Sequence, residues 1–374
     1  MSLRAKAAIV GIGELPTRRE YPGRSVYGLM ADAARLAIED AGLTKADIDG
    51  LVVEGSPTTY QITDYFGIRP VFSTAVGMQG ASGATSVLVA SSAIAAGLCN
   101  TVLIVIGSAR DTNPERPPGA RPGGGGFAPG ASIGSEFEAP FGPAQGAGTG
   151  YALAYRRHMH EYGTKPEQLA KLAADQRFNA VKNENAAFYG QPITVDDVLN
   201  SRYINEPLHM LECVMPAAGA AACIVTSAER AKSMRNKPVY VLGCGLEQAN
   251  FALWQTDKIT TTPARVSAMR AFEMAGYGPD DIQFAEFYDC YTILIAMTLE
   301  DAGFVKKGEI GPFYESTDTT YKGAFPINTD GGQLSGGQPG LAGGFRHVIE
   351  AARQIMGRAG ERQVAKNDLC MVNG

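Results

Sequence analysis

An α/β fold built from two related halves is predicted by three features of the sequence. Apolar strand-like runs alternate with helix-period segments, which argues for a parallel or mixed sheet covered on both faces. One pattern also recurs. Ala37-Ile38-Glu39-Asp40-Ala41-Gly42 returns as Ala271-Phe272-Glu273-Met274-Ala275-Gly276, and Asp47-Ile48 returns as Asp281-Ile282, always 234 positions on. Internal similarity at this period means a duplicated domain rather than a solenoid. Length agrees, because 374 residues are many for a single core. The expected units are 1–235, with an insertion at about 111–200, and 236–374, with the active site between them.

Taken in order, Ala7 to Val10 reads as a first strand ended by Gly11-Ile12-Gly13. Val26 to Ala41 has helical period through Leu29, Ala33, Leu36 and Ala37, and Gly42 stops it. Leu51 to Val53 and Val71 to Val76 are strands. Ala84 to Gly97 holds small and apolar residues almost without charge. A surface helix needs a polar face, so this one is expected to be buried all round. Thr101 to Ile106 is a buried strand. Asp111 to Gly150, rich in Pro, Gly and Ser, reads as a long loop, of the kind that is functional, a dimer arm or a surface insertion.

Helices are expected over Tyr151 to Tyr162, Lys165 to Glu184 and Thr194 to Leu199. The second has Thr164 as its cap and Pro166 near its start. Ala217 to Val225 is core, and Val239 to Gly243 mirrors the first strand. A last helix runs from about Phe345 to Gly357, after a Gly-rich stretch from Asn328 to Gly340 that is too loose for a packed element.

Composition excludes several function classes. A net charge of −5 and a pI near 5.5 leave no basic footprint for nucleic acid. The longest apolar stretch is Ala- and Ser-rich and broken by Gly97 and Asn100, so no membrane span is expected. Six scattered cysteines without a C-x-x-C pair, and only four histidines, argue against a metal site. They suit reduced, buried thiols in a cytoplasmic protein.

Three segments carry candidate chemistry. Gly80-Ala81-Ser82-Gly83 bends sharply into the buried helix. Such a bend can aim a nucleophile or present helix N–H groups to an anion, and it can equally be a tight turn before a core helix. Its only nucleophilic side chain is Ser82. Tyr288-Asp289-Cys290-Tyr291 runs off a strand where acid, phenol and thiol meet, at the usual place for a site in such sheets. The alternative is that both tyrosines pack and Asp289 caps the following helix. The third segment, from Asn328 to Gly344, includes Gly337-Gln338-Pro339. It lacks both a dinucleotide fingerprint and a P-loop lysine.

On these residues the chain resembles the thiolase superfamily, most closely the sterol-carrier-protein-type thiolases. The resemblance covers the strand–helix opening, Gly80 to Gly97, the Tyr-Asp-Cys-Tyr segment and Asn328 to Gly332. It implies a duplicated five-layer αβαβα fold, a homodimer and substrates that are coenzyme A thioesters. It implies no other cofactor, coenzyme A being part of the substrate. It also places the nucleophilic cysteine of the family at Gly80, one family histidine at Tyr288 and another at Gln338. Cys370 falls too early for the second catalytic cysteine.

With that nucleophile replaced, three readings remain. The first is a carbon–carbon lyase for a β-hydroxyacyl-CoA, as in aldolase-like relatives that work with a small OB-fold, Zn-ribbon acyl-CoA-binding partner. The second is an acetyl-CoA acetyltransferase with an unusual nucleophile. The third is a non-catalytic acyl-CoA-binding subunit. For the lyase, Tyr288 is expected as the acid–base group with its pKa of about 10 lowered by neighbours. Gln338 and backbone near Gly80 would stabilise the enolate, and Asp289 would orient the segment. Ser82, Cys290 and Gly337 are expected at the substrate. Gly80→Ala is expected to disturb binding more than chemistry.

Overall fold

The computed structural model describes residues 2–55, 57–110, 147–249 and 256–374. The expected Asp111–Gly150 loop therefore lies mostly outside the described residues. At its end, residues 147–150 already form the first turn of a helix.

The first half builds a six-stranded mixed sheet. Its strands are β1 (Ala7–Glu14), β2 (Gly50–Glu54), β3 (Phe72–Val76), β4 (Thr101–Ser108), β7 (Gly219–Ser227) and β8 (Val239–Tyr240), in the order β3-β2-β4-β7-β1-β8. β2 lies parallel to β3 and β4, while β7 runs antiparallel to both β4 and β1. Side chains alternate between the two faces, as a strand's period of two requires. Ala8, Val10, Leu51, Val53 and Leu103 pack on one side with Leu29, Met30 and Ala33 of helix α1 (Val26–Asp40). Ile9, Val52, Ile104 and Cys223 pack on the other with helices α3 (Ser82–Ala95) and α12 (Ala342–Ile355).

Beyond α3 and α12 lies a second, shorter sheet. β9 (Phe284–Glu286) pairs in parallel with β10 (Cys370–Val372). Ala285 and Phe287 then meet Ile293, Ala296 and Leu299 of α9 (Thr292–Asp301). Helix, sheet, helices, sheet and helix make five layers, and the fold is the layered α/β class that the sequence predicts. α3 is buried as expected, with none of its residues from Ser82 to Ile94 exposed. It crosses α12 so closely that a Cβ on Gly83 would fall 2.6 Å from Cα of Phe345.

The two halves share local geometry. A Cβ on Gly11 would strike the carbonyl of Ala37 and Cβ of Ala41; one on Gly243 would strike the carbonyl of Ala271 and Cβ of Ala275. Gly13 stands in the same way against Ala33 and Ala37, and Gly245 against Ser267 and Ala271. Gly42 and Gly276 end their helices at φ of 70° and 71°. These glycines let a helix lie directly on backbone.

Other expectations need correction. Gly11 and Gly13 do not end β1, which continues to Glu14. An unforeseen helix, α2, spans Thr59–Phe66. Thr164 does not cap the following helix (Pro166–Ala180); its hydroxyl meets Nδ1 of His158, and the Gln168 side chain serves the helix start instead. The Gly-rich stretch after Asn328 holds a short buried helix, α11 (Gly332–Gly336). β8 is only two residues long.

Candidate active site

Three segments converge where α3 begins. Gly80 enters α3 through a 3-10 turn in which Gln79 takes φ of 52°, a left-handed conformation uncommon outside glycine. Tyr288 follows β9, and its N–H donates to the carbonyl of Asn373 at 3.1 Å. Gln338 follows α11. Its N–H donates to Met215 and its carbonyl accepts from Ala217, both at 2.9 Å. The two side chains meet, with Nε2 of Gln338 donating to the phenol oxygen of Tyr288 at 3.0 Å. Gly80, Tyr288 and Gln338 are all half-buried.

The Tyr288 ring fills the place where a side chain at position 80 would stand. A Cβ on Gly80 would fall 2.5 Å from Cε2 of Tyr288, far inside contact distance. A Cβ on Gly344 would strike the Gly80 carbonyl and come within 3.1 Å of Cδ2 and Cε2 of the same ring. The phenol thus lies against the backbone of two neighbouring glycines, with its hydroxyl toward Gln338.

Burial, with the neighbouring Cys290 and Asp289 adding to it, raises the pKa of Tyr288 well above that of a free phenol, and the Gln338 hydrogen bond only partly opposes this. The expectation of a lowered pKa is therefore overturned. Tyr288 rests as the neutral phenol.

Asp289 is wholly buried. Its Oδ1 accepts from Gln333 N–H at 2.8 Å and its Oδ2 from Leu334 N–H at 3.0 Å. It therefore caps α11, not the helix that follows it in sequence. Nε2 of His347, on α12, lies 3.1 Å from the same Oδ1. Behind these residues runs a layer of buried ion pairs: Arg346 with Glu14 and Asp330, Arg353 with Glu14 and Glu350, and Arg362 with Glu350.

Residues 245–374 match the family described as "Thiolase C-terminal domain-like". An acetyl-CoA acetyltransferase from Methanothermobacter thermautotrophicus is 34% identical over 93% of this chain and 91% of its own. A steroid side-chain-cleaving aldolase from Thermomonospora curvata is 34% identical over 95% of this chain and 91% of its own. Among solved structures, an Ltp2-ChsH2(DUF35) aldolase superposes with a TM-score of 0.85 at 30% identity, covering 96% of this chain and 91% of the other.

The chain belongs to the thiolase superfamily.

As a thiolase-superfamily enzyme it has an unusual site. No side chain can project from Gly80. Ser82 is fully buried, and its Oγ accepts from Met78 N–H at 3.0 Å, so it braces the turn and does not face the opening. Cys290 is buried, and burial pushes its thiol pKa up, which suppresses the thiolate that nucleophilic attack needs. Gly337 is buried at φ of 87°, and its carbonyl accepts from Arg346 at 3.2 Å. The structure thus gives Ser82 and Gly337 packing roles and brings Tyr288, Gln338 and Gly80 together.

Sequence reasoning missed the buried layer. Arg346, His347, Glu350 and Arg353 recur at helical spacing on α12 and are all buried or nearly so. That spacing of charges, on a helix following a Gly bend, was the available signal. Glu286, Asp330 and His347 place ligand-type atoms within 4.8 Å of one another. However, Asp330 is already committed to Arg346 and to the Gly332 N–H. The three arginines also supply the positive charge that a cation would bring.

Proposed function

We propose that the protein is a retro-aldol lyase for a β-hydroxyacyl-CoA, with Tyr288 as its acid–base group. The observation that carries this reading is steric: the Tyr288 phenol occupies the space of a nucleophile's side chain at Gly80. An acyl-enzyme has no place to form there, whereas a phenol held by Gln338 can exchange protons with a substrate lying over the bend.

In this reading the Cα–Cβ bond breaks and its electron pair passes to the thioester enolate. The β-hydroxyl proton passes to the Tyr288 phenolate as the new carbonyl forms. The phenol then returns a proton to Cα, releasing the shortened acyl-CoA. Atoms and electrons balance without an oxidant or reductant. The Gln338 amide carries two N–H donors. One serves Tyr288 and the other suits the enolate oxygen, where charge develops.

The steroid side-chain-cleaving aldolase and the Ltp2-ChsH2(DUF35) aldolase among the similar proteins support a bulky lipid or steroid acyl group and a small partner protein of the DUF35 kind. A homodimer in the cytoplasm completes the proposal. No described helix is long and apolar enough to cross a membrane. The acetyltransferase relatives favour acyl transfer as the second reading. Mass spectrometry after incubation with a short acyl-CoA separates the two, since only acyl transfer leaves an adduct.

Tyr288→Phe removes the proton carrier and the one hydrogen bond that it accepts from Gln338, and keeps the ring. General acid–base catalysis contributes about 100- to 10,000-fold, so turnover should fall by that order while binding persists. The phenolate is the base for cleavage and the raised pKa makes it scarce. The wild-type rate should therefore climb about tenfold per pH unit through neutral pH. A Tyr288→Phe enzyme with full activity would refute the mechanism.

A further inference from the structure

Beneath Tyr288 lies a line of three ionisable groups that the lyase reaction does not use. His347 stands between Asp289 and Glu286, and all three are at most 1% exposed. Both Asp289 oxygens already accept backbone N–H groups, so Nε2 of His347 is the donor in its 3.1 Å contact with Oδ1. On the other edge of the ring, Nδ1 lies 3.7 Å from Oε2 of Glu286. Neither of these two atoms has a hydrogen-bond partner. Oε1 of Glu286, by contrast, accepts from both the N–H and the hydroxyl of Thr329.

A bare ring nitrogen facing a bare carboxylate oxygen sets two lone pairs against each other in a buried site. A proton between them removes that repulsion. Around the pair stand the carboxylates of Asp330 and Glu350 and the guanidinium groups of Arg346, Arg353 and Arg362. With Glu14, the layer holds five carboxyl groups and three arginines, so a positive ring lowers the imbalance. A buried unpaired charge is strongly unfavourable.

We propose that His347 is held as a doubly protonated imidazolium bridging Asp289 to Glu286, and that it is a positioning residue for the Tyr288–Gln338 pair. The link is mechanical. His347 fixes Asp289, Asp289 caps α11, and α11 delivers Gln338 to the phenol. Burial opposes the charge, but the Asp289 and Glu286 contacts outweigh it and lift the His347 pKa to about 9.

The experiment is imidazole nitrogen NMR on the intact protein, whose four histidines make the spectrum tractable. Loss of one set of signals in His347→Gln assigns the residue. The wild-type ring should keep both N–H protons from pH 6 to pH 8. A ring that is neutral at pH 7, or that titrates near the usual value of about 6.5, overturns the proposal. Glu286→Gln gives a second reading should His347→Gln fail to fold. Its amide can donate to Nδ1, so the ring should become neutral by pH 8, and a ring still doubly protonated there counts against the bridge.

These spectra need no substrate and decide the protonation state even where the lyase reading fails. The positioning half rests on that reading. Where lyase activity is measured, His347→Gln should lower kcat about tenfold with KM little changed, the scale of one charge-assisted hydrogen bond. An unchanged kcat would remove the positioning role.

Discussion

Tyr288 and Asp289 are adjacent in sequence, yet they belong to regions of opposite character. Tyr288 sits half-buried at an open bend, and its hydroxyl is joined to one side chain, Gln338. Asp289 is closed into a layer where backbone N–H groups, a histidine and paired arginines and carboxylates meet. The difference teaches how a thiolase fold can change its chemistry. At the bend, one steric exchange is enough: a side chain leaves position 80 and a phenol fills the gap. Below it, each group satisfies several others, so no single exchange is cheap. In the proposed reaction the bend sets the chemistry and the layer holds the frame.

The largest effect should come from refilling the gap. Gly80→Ala places a methyl group 2.5 Å from Cε2 of Tyr288 and against its Cζ. The ring must give way, and its Cδ2–Cε2 edge already lies against Gly344. The phenol must turn from Gln338. Gly80→Ala should therefore lower kcat by about 100-fold or more, approaching the loss of the acid–base group itself. The sequence alone suggested an effect mainly on binding; the occupied space reverses that expectation. Steady-state kinetics on a β-hydroxyacyl-CoA decides, and a variant with raised KM but normal kcat would show that the ring moves freely.

The next effect separates the layer from the bend. Asp289→Asn keeps the shape but sets an amide N–H against donors that now meet a carboxylate. Breaking a buried charged pair costs about 3–5 kcal/mol, and one oxygen acceptor survives, so a loss near the lower figure is expected. The shift in urea midpoint reads it. Tyr288→Phe loses only one neutral hydrogen bond, about 1 kcal/mol, and should barely move that midpoint. Equal shifts would dissolve the distinction between the two regions.

The sequence made much of the frame legible, for reasons that can be traced. α1 was visible because Leu29, Ala33 and Ala37 form one apolar stripe, and α3 because its small residues leave no polar face. Gly11 and Gly13 misled because glycine both ends strands and admits close neighbours; only the packing of α1 shows which applies. At the site, Gly80, Tyr288 and Gln338 were found through the family pattern. Their contact was hidden because it depends on Tyr288, at the end of β9, reaching across to a residue some two hundred positions earlier. His347 was hidden because a charged residue on a helix normally reads as its solvent face.

The smallest effect tests the second functional reading. Ser82 is the only nucleophilic side chain in the bend segment Gly80 to Gly83, and an acetyltransferase acting there would need it. The structure directs its Oγ to the Met78 N–H and buries it completely. Ser82→Ala should therefore cost about 1 kcal/mol of stability, as for other residues that satisfy backbone N–H groups beside a helix start. Turnover should stay within about twofold, since a change below 1.4 kcal/mol in the barrier is less than tenfold and no step passes through the hydroxyl. Kinetics and mass spectrometry on the same variant complete the test. A collapse of turnover, with loss of a covalent acyl adduct present in the wild type, would make Ser82 the nucleophile and move the chemistry from Tyr288 to the helix start.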